Sequence, residues 1–444
     1  MTPLRPSRRL ALSLPLLLLV ACGDGDDPSV AENDPPAVVT TPDDRTAGDF
    51  AASEAFTERF GTRDARDRDP VVDPATLDAL VTALNDFSID LHRAVSGADP
   101  NAGTVSSGYG AATAFSLALA GTAGDTRASL ANLLGVDAID EADVHVGMNA
   151  LAQALESRSN DELVLRTANR AFVRPGLPLT DAYLDVAVGE YGAPVTEADF
   201  AGAPDEVRRV VNAWVSNETD GFIDAIVDRV DPATVFVLLN AIFLDAGWQD
   251  EWEEIAPLEF SAADGATAPV PAFGGRARLG TVEADGVRGV ELSYAGGELA
   301  MLVLVPDDLA AFEAGLDAAA IDALVGGLAS TDVRLRAPKW TEDASLALGP
   351  LLAPLGLPAN PWDFGRMIDD PAAAAVDVTA LQRARIEVDE NGTRAAAVTG
   401  LVGATSAEID EPIAFDVDAP FVYLLRDRVT GTVLFTGRVL DPDA

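Results

Sequence analysis

The residue types of a conventional catalytic centre are scarce in this chain. Its 444 residues include one cysteine, Cys22, and two histidines, His92 and His145. One thiol and two imidazoles cannot build a common zinc site, so no metal and no cofactor is expected. Both histidines read as partly buried or surface side chains without a catalytic role. No nucleophile elbow, zinc-protease helix, phosphate-cradling loop or dinucleotide fingerprint occurs, and with 72 Asp and Glu any paired carboxylates could be chance. An enzyme is therefore not expected. What stands out is Glu387 to Gly400, which starts as a strand and continues through Gly392-Thr393-Arg394-Ala395-Ala396-Ala397-Val398-Thr399. In a strand Thr393, Ala395, Ala397 and Thr399 would share one face, with Arg394, Ala396 and Val398 opposite. The first set is uniformly small. Such a face could slide under covering helices with little overpacking, leaving the charge on the more open side. On composition alone, a flexible Ala/Gly-rich loop with no second state is the preferred reading.

The elements that must hold this segment are helices first and strands later. Asp73-Pro74 reads as an N-cap followed by Pro at the first helical position, and Leu77, Leu80, Val81, Leu84, Phe87 and Leu91 recur at helical spacing. Ala111 to Leu119, Thr126 to Leu134, Thr180 to Tyr191 (closed by Gly192) and the Val207 to Val215 stripe predict further helices. Val235 to Leu244 is an apolar run broken by Asn240, a strand buried on both faces whose polar group needs partners. Leu299 to Val305 repeats that pattern. Val422 to Leu425 and Val433 to Phe435 face each other across Thr430-Gly431. This order predicts an α+β domain with large antiparallel or mixed sheets and no internal repeat.

Composition and the N-terminus limit where the domain works and what it meets. With 48% hydrophobic residues and a mean hydropathy of +0.15, the chain can bury a large core. Its net charge of −42 repels phosphate backbones, which excludes nucleic acid as a partner. Arg5, Arg8 and Arg9 precede an apolar run from Leu10 to Val20 that is too short to span a bilayer comfortably, so residues 1–21 read as a signal peptide. The run ends in Leu19-Val20-Ala21-Cys22, which resembles a bacterial lipobox, where a diacylglycerol is placed on the cysteine. An ordinary signal peptide with a chance cysteine is the alternative. Residues 22–70, rich in Asp, Pro, Gly, Ala and Thr, read as a disordered acidic tether, and residues 71–444 as the folded domain. The expected location is the cell envelope or cell surface, lipid-anchored through Cys22. Gly23 resembles an outer-membrane sorting signal, and release to the extracellular space is the other outcome.

Motifs spread over the whole folded region share one resemblance. Leu165-Arg166-Thr167-Ala168-Asn169-Arg170-Ala171-Phe172-Val173 is similar to "IANRLFV", and Val211 to Val215 with Thr219 to Ile223 is similar to "INxWVxxxTxGKI". Leu239 to Leu244 with Gly247-Trp248 resembles "NAIYFKGxW". Pro420-Phe421 through Arg426-Asp427, Thr430-Gly431, Leu434-Phe435 and Gly437-Arg438-Val439 resembles "PFxFxIRDxxTGxxLFxGRVxxP". From about Val71 to Pro442 the chain resembles the serpin family of protease inhibitors.

The resemblance implies a large five-stranded central sheet, two smaller sheets and about nine helices, held in a metastable state with an exposed reactive loop at about residues 389–412. A serine or cysteine protease would attack that loop and be trapped as an acyl-enzyme when the loop inserts into the sheet. About fourteen inserted residues at roughly 3.3 Å each would carry it about 45 Å. Family spacing from Gly392 implies Ser406-Ala407 as the scissile bond, with Thr405-Ser406 the next choice. Either suits a target with small-residue specificity, elastase-like or subtilisin-like; a trypsin-like one is disfavoured, since no Arg or Lys lies between Thr399 and Ile413. The implied hinge is Gly392, Thr393, Ala395, Ala396, Ala397 and Thr399; Arg394 replaces the usual acidic residue and Val398 an Ala. The implied sheet-opening residues are Ser107, Asn240, Trp248 and Gln382, where the family's second Ser is lost after Ser107 and its His is Gln382. A monomer is expected. The alternative function is a non-inhibitory serpin, a binding or carrier protein at the cell surface.

Overall fold

The computed structural model describes residue 50 and residues 53–160, 162–393 and 411–443. Asp73 caps the first long helix as the sequence predicts: its carboxylate accepts a hydrogen bond from the Ala75 N–H (2.9 Å), and α1 runs Pro74–Ala98. The next helix, α2 (Gly108–Gly121), is apolar all round and has every residue buried, so it threads the core. Then come α3 (Gly124–Leu133), α4 (Glu141–Glu156), α5 (Asp181–Tyr191) and α6 (Pro204–Glu218). Thr180 caps α5 and Gly192 ends it at φ 60°, the left-handed turn read from the sequence. Three short helices, α7 (Leu309–Gly315), α8 (Ala318–Gly326) and α9 (Leu348–Leu352), bring the described total to nine.

The strands are β1 (Phe56–Arg59), β2 (Thr104–Ser106), β3 (Leu163–Val173), β4 (Val195–Ala198), β5 (Phe236–Gly247), β6 (Glu253–Ser261), β7 (Thr267–Ala284), β8 (Val287–Ser293) and β9 (Leu299–Pro306). They continue as β10 (Ala329–Pro338), β11 (Trp340–Ala347), β12 (Trp362–Asp363), β13 (Ala375–Val376), β14 (Val378–Val388), β15 (Gly392–Thr393), β16 (Ile413–Asp416), β17 (Phe421–Asp427) and β18 (Val433–Val439). The architecture is α+β. Its central sheet has the order β1-β4-β3-β5-β15-β14-β11, so five strands are joined by two short additions. One addition, β15, is the start of the hinge; the other, β1, comes from the segment read as tether.

The two smaller sheets expected beside it are arranged differently. β7 is 18 residues long and pairs with β6 and β10 along most of its length and with β8 at its end, which fuses them into one nine-stranded sheet. A separate two-stranded ribbon, β12-β13, completes the strands.

The boundary of the folded domain also needs correction. Phe50 is 1% exposed and packs on Phe56, Phe172 and Trp214 at ring separations of 5.1 to 6.1 Å, with the Arg170 guanidinium 4.4 Å from its centroid. β1 pairs antiparallel with β4, the Asp185 carboxylate accepts from the Thr62 and Arg63 amides, and Arg66 ion-pairs with Glu156. Packing therefore begins at Phe50 rather than near Val71. A four-residue edge strand is too short to show a period, and its apolar partners lie more than a hundred residues away.

α6 covers one face of the sheet. Val207, Val210, Val211, Trp214 and Val215 of that helix pack with Phe172 of β3 and Leu239, Ala241 and Phe243 of β5. The opposite face meets α2, where Phe236, Leu238 and Ile242 of the same strand join the main core. β5 is thus buried on both sides, as its unbroken apolar run requires.

Candidate functional site

β5 and β14 are parallel neighbours only along their lower halves. Their ladder runs from Phe236 opposite Val378 to Ala241 opposite Arg383 and stops there. Above it, β5 is held by β3 and β14 by β11, while Ile242–Asp245 and Ala384–Glu387 have no ladder to each other. At the top β15 closes the gap: Gly392 and Thr393 pair with Gly247 and Ala246, and Thr393 also with Val388. The result is a slot with strand edges on both sides and a strand already started at its mouth.

Gly392 has φ 150°, and any Cβ there would run into the Ala246 carbonyl, so only glycine lets the chain turn this closely into the sheet. Thr393 follows at 2% exposure, with its hydroxyl 2.6 Å from that of Tyr294. Burial pushes the Tyr294 phenol well above its ordinary range, so it stays protonated. Trp248 stacks on Tyr294 at 4.6 Å, and its indole N–H donates to the Asp389 carbonyl (2.8 Å). On the rim, Lys339 Nζ lies 2.7 Å from the Glu390 carboxylate. Burial alone would raise Glu390, but the hydrogen bond and charge of Lys339 outweigh it and hold the carboxyl below its ordinary value.

A second cluster bolts the seam at the upper end of its closed part. Asn169, Asn240 and Gln382 occupy one row across β3, β5 and β14. Gln382 donates to Asn240 Oδ1 (2.9 Å) and to the Ser107 carbonyl (2.8 Å), and accepts from the Ser107 N–H (3.0 Å). Asn240 donates to Asn169 Oδ1 (2.9 Å), and the Ser107 hydroxyl donates to the Leu434 carbonyl (2.7 Å). Ser107, Asn240 and Gln382 are fully buried, so each amide and hydroxyl needs these partners. At Gly110 a Cβ would overlap the Asn240 carboxamide, so a second serine there would force this amide to shift. Its loss makes room for this amide row.

A model of the family Serpin (serine protease inhibitor) matches residues 82–442. The chain is a serpin. It is 31% identical over 371 residues to an uncharacterized serpin-like protein of Thermococcus kodakarensis, covering 82% of this chain and 86% of that one. It is 26% identical over 393 residues to the leukocyte elastase inhibitor of Sus scrofa, covering 82% and 100%. Among solved structures, the thermophilic serpin tengpin in its native state is similar with a TM-score of 0.76 at 23% identity, over 87% of this chain and 99% of that one. Serpins are in general protease inhibitors that bind their targets, rather than catalysts.

In this serpin the structure brings Trp248, Gly392 and Thr393 together at the top of the seam and Ser107, Asn240 and Gln382 at its middle. The rest of the hinge (Ala395, Ala396, Ala397, Thr399), the candidate bonds at Thr405, Ser406 and Ala407, and Cys22 lie outside the described residues. Sequence reasoning missed Asn169, Tyr294 and Lys339, which reach the site from β3, the chain after β8 and the residue between β10 and β11. Asn169 carried a signal, since it stands in the same strand motif as Arg170. His92 and His145 are both buried, the first 3.1 Å from Glu313 and the second 2.7 Å from the Tyr191 hydroxyl, away from the seam. Among the described residues no group of three or more His, Cys, Asp or Glu is placed to hold a metal, and no helix is long and apolar enough to cross a membrane.

Proposed function

We propose that this serpin is a suicide-substrate inhibitor of serine proteases, and by the same chemistry of cysteine proteases, displayed at a cell surface by a lipid on Cys22. The observation that carries the reading is the seated hinge: Gly392 and Thr393 stand as β15 at the mouth of a slot between β5 and β14 in which no other strand lies among the described residues. The target's nucleophile attacks the carbonyl carbon of Ser406, the Ser406-Ala407 amide breaks, and Ala407 leaves as an amine carrying the proton supplied by the protease's own base. An ester remains, or a thioester for a cysteine protease. If the segment after Thr393 zips into the slot before water hydrolyses that bond, the enzyme is carried away from the geometry that stabilises its oxyanion. A small side chain at Ser406 suits an elastase-like or subtilisin-like pocket, with Thr405-Ser406 as the neighbouring choice.

Incubation with elastase-like, subtilisin-like, trypsin-like and cysteine proteases, read by SDS gel and mass spectrometry, tests this. An SDS-stable adduct and a released fragment starting at Ala407 support inhibition. Clean cleavage without adduct would make the protein a non-inhibitory serpin, a binding or carrier protein. Ser406→Arg is expected to move inhibition toward trypsin-like enzymes, and unchanged specificity would refute the bond assignment. For the anchor, Cys22→Ala is expected to shift the protein from the detergent phase to the aqueous phase on Triton X-114 partition; an unaltered distribution would refute lipidation.

A further inference from the structure

An apolar cavity of about 250 Å³ lies between α6 and the lower part of the central sheet. Val207 and Val211 of α6 form its roof. Its floor is Val237 and Leu239 of β5 together with Thr379 and Leu381 of β14. These four are register partners, Val237 opposite Thr379 and Leu239 opposite Leu381, so the seam runs across the floor. Neighbouring strands lie about 4.8 Å apart, and a strand inserted between β5 and β14 would double that separation. The floor exists in this form only while the sheet is closed.

The mouth has one feature at odds with the rest of the molecule. In a chain of net charge −42, Arg229 stands exposed beside the apolar walls and has no ion-pair partner among the described residues. Asp231 shares the rim, but its carboxylate accepts from the Ala233 N–H (2.9 Å) and closes the local turn. An apolar cavity with a free guanidinium at its mouth complements an apolar tail that ends in a carboxylate.

We propose that this cavity binds a medium-chain fatty acid, tail between α6 and the seam and carboxylate on Arg229, and that the bound acid holds the sheet closed. Because such a ligand contacts β5 and β14 in their adjacent positions, it favours the uninserted state by the ratio of its affinities for the two states. At a hundred times its dissociation constant for the closed form, a ligand that ignores the open form would disfavour opening about a hundredfold. The regulatory part of this proposal rests on the loop-insertion reading above.

Decanoate is the probe, with decanol as its uncharged counterpart, measured by titration calorimetry. The intact protein is expected to bind decanoate. Arg229→Gln should weaken it at least tenfold while leaving decanol unchanged, and Val211→Phe, which fills the roof, should weaken both. Protein nicked in the 394–410 stretch, once its melting temperature has risen, should bind decanoate at least tenfold more weakly than intact protein. Saturating decanoate should raise the proportion of cleaved serpin over covalent adduct. Equal binding by intact and stabilised nicked protein would overturn the proposal, as would undiminished binding in folded Val211→Phe or in Arg229→Gln. A melting temperature that fails to rise on nicking would instead overturn the insertion reading, and the two cavity variants would still decide whether the site exists.

Discussion

The hydroxyls of Thr393 and Tyr294 meet at 2.6 Å inside the top of the central sheet, where Thr393 is 2% exposed. The hinge thus enters the sheet on a side chain small enough to be enclosed and polar enough to be held. Thr393→Arg would force an unpaired charge into that place, so the chain is expected to leave the slot and reinsert slowly. The variant should be cleaved by a target protease with little or no SDS-stable adduct. An adduct yield equal to the parent's would refute the hinge assignment.

Phe222, just after α6, spans the same seam. Its ring lies 5.7 Å from Phe243 of β5, and the Arg385 guanidinium of β14 sits 4.7 Å over it while donating to the Phe222 carbonyl (3.4 Å). Insertion must separate Phe243 from Arg385, so this contact resists it. Arg385→Ala is expected to quicken spontaneous loop insertion on mild heating severalfold, read as loss of inhibitory activity with time. An unchanged rate would show that the contact carries no part of the barrier.

Glu342 of β11 gives the fold a pH dependence. Burial pushes its carboxyl up to about 7, against the pull of Arg438. An unfolded glutamate titrates near about 4.3. Between those values the folded chain keeps a proton that the unfolded chain has lost, so Glu342 makes stability fall as pH rises through that window. Glu342→Gln is expected to flatten the slope from pH 5 to 7 and to be the more stable form at pH 8 by on the order of 1–3 kcal/mol. Denaturant melts of both proteins at pH 5 and 8 check this; a difference that stays constant with pH would refute it.

Phe50 tests the strap that runs ahead of α1. Phe50→Ala removes a ring enclosed by Phe56, Phe172, Trp214 and Arg170, and truncations of this kind cost about 3–5 kcal/mol. A fall in melting temperature of several degrees is expected. An unaltered melt would mean that the domain does begin near Val71.

The strap also marks the limit of what local pattern could tell. The caps at Asp73 and Gly192 and the apolar runs of β5 and β9 were legible because each is decided within a few residues. The hairpin of β17 and β18 was legible for the same reason: Thr430-Gly431 specify the turn. Phe50 and β1 owe their order to Phe172, Trp214 and β4, which no local signal announces. β15 and the fusion of the smaller sheets through β7 are likewise settled by pairing between distant strands. Asn240 announced a need for partners, and Gln382, Ser107 and Asn169 supply them from three other elements. Motif resemblance found Gln382 and Ser107; only geometry found Asn169 and the Tyr294 hydroxyl.

The bolt formed by Ser107, Asn169, Asn240 and Gln382 is made solely of amides and hydroxyls, none of which gains or loses a proton in ordinary aqueous media. A histidine at position 382 would give the latch a protonation step near pH 6.5. With glutamine there, acidification has no handle on the middle of the seam, and whatever sensitivity to acid the molecule has must come from groups elsewhere, such as Glu342. On the trap proposed above, this middle latch would hold equally firmly in sour and neutral surroundings, whatever Glu342 does to the fold as a whole.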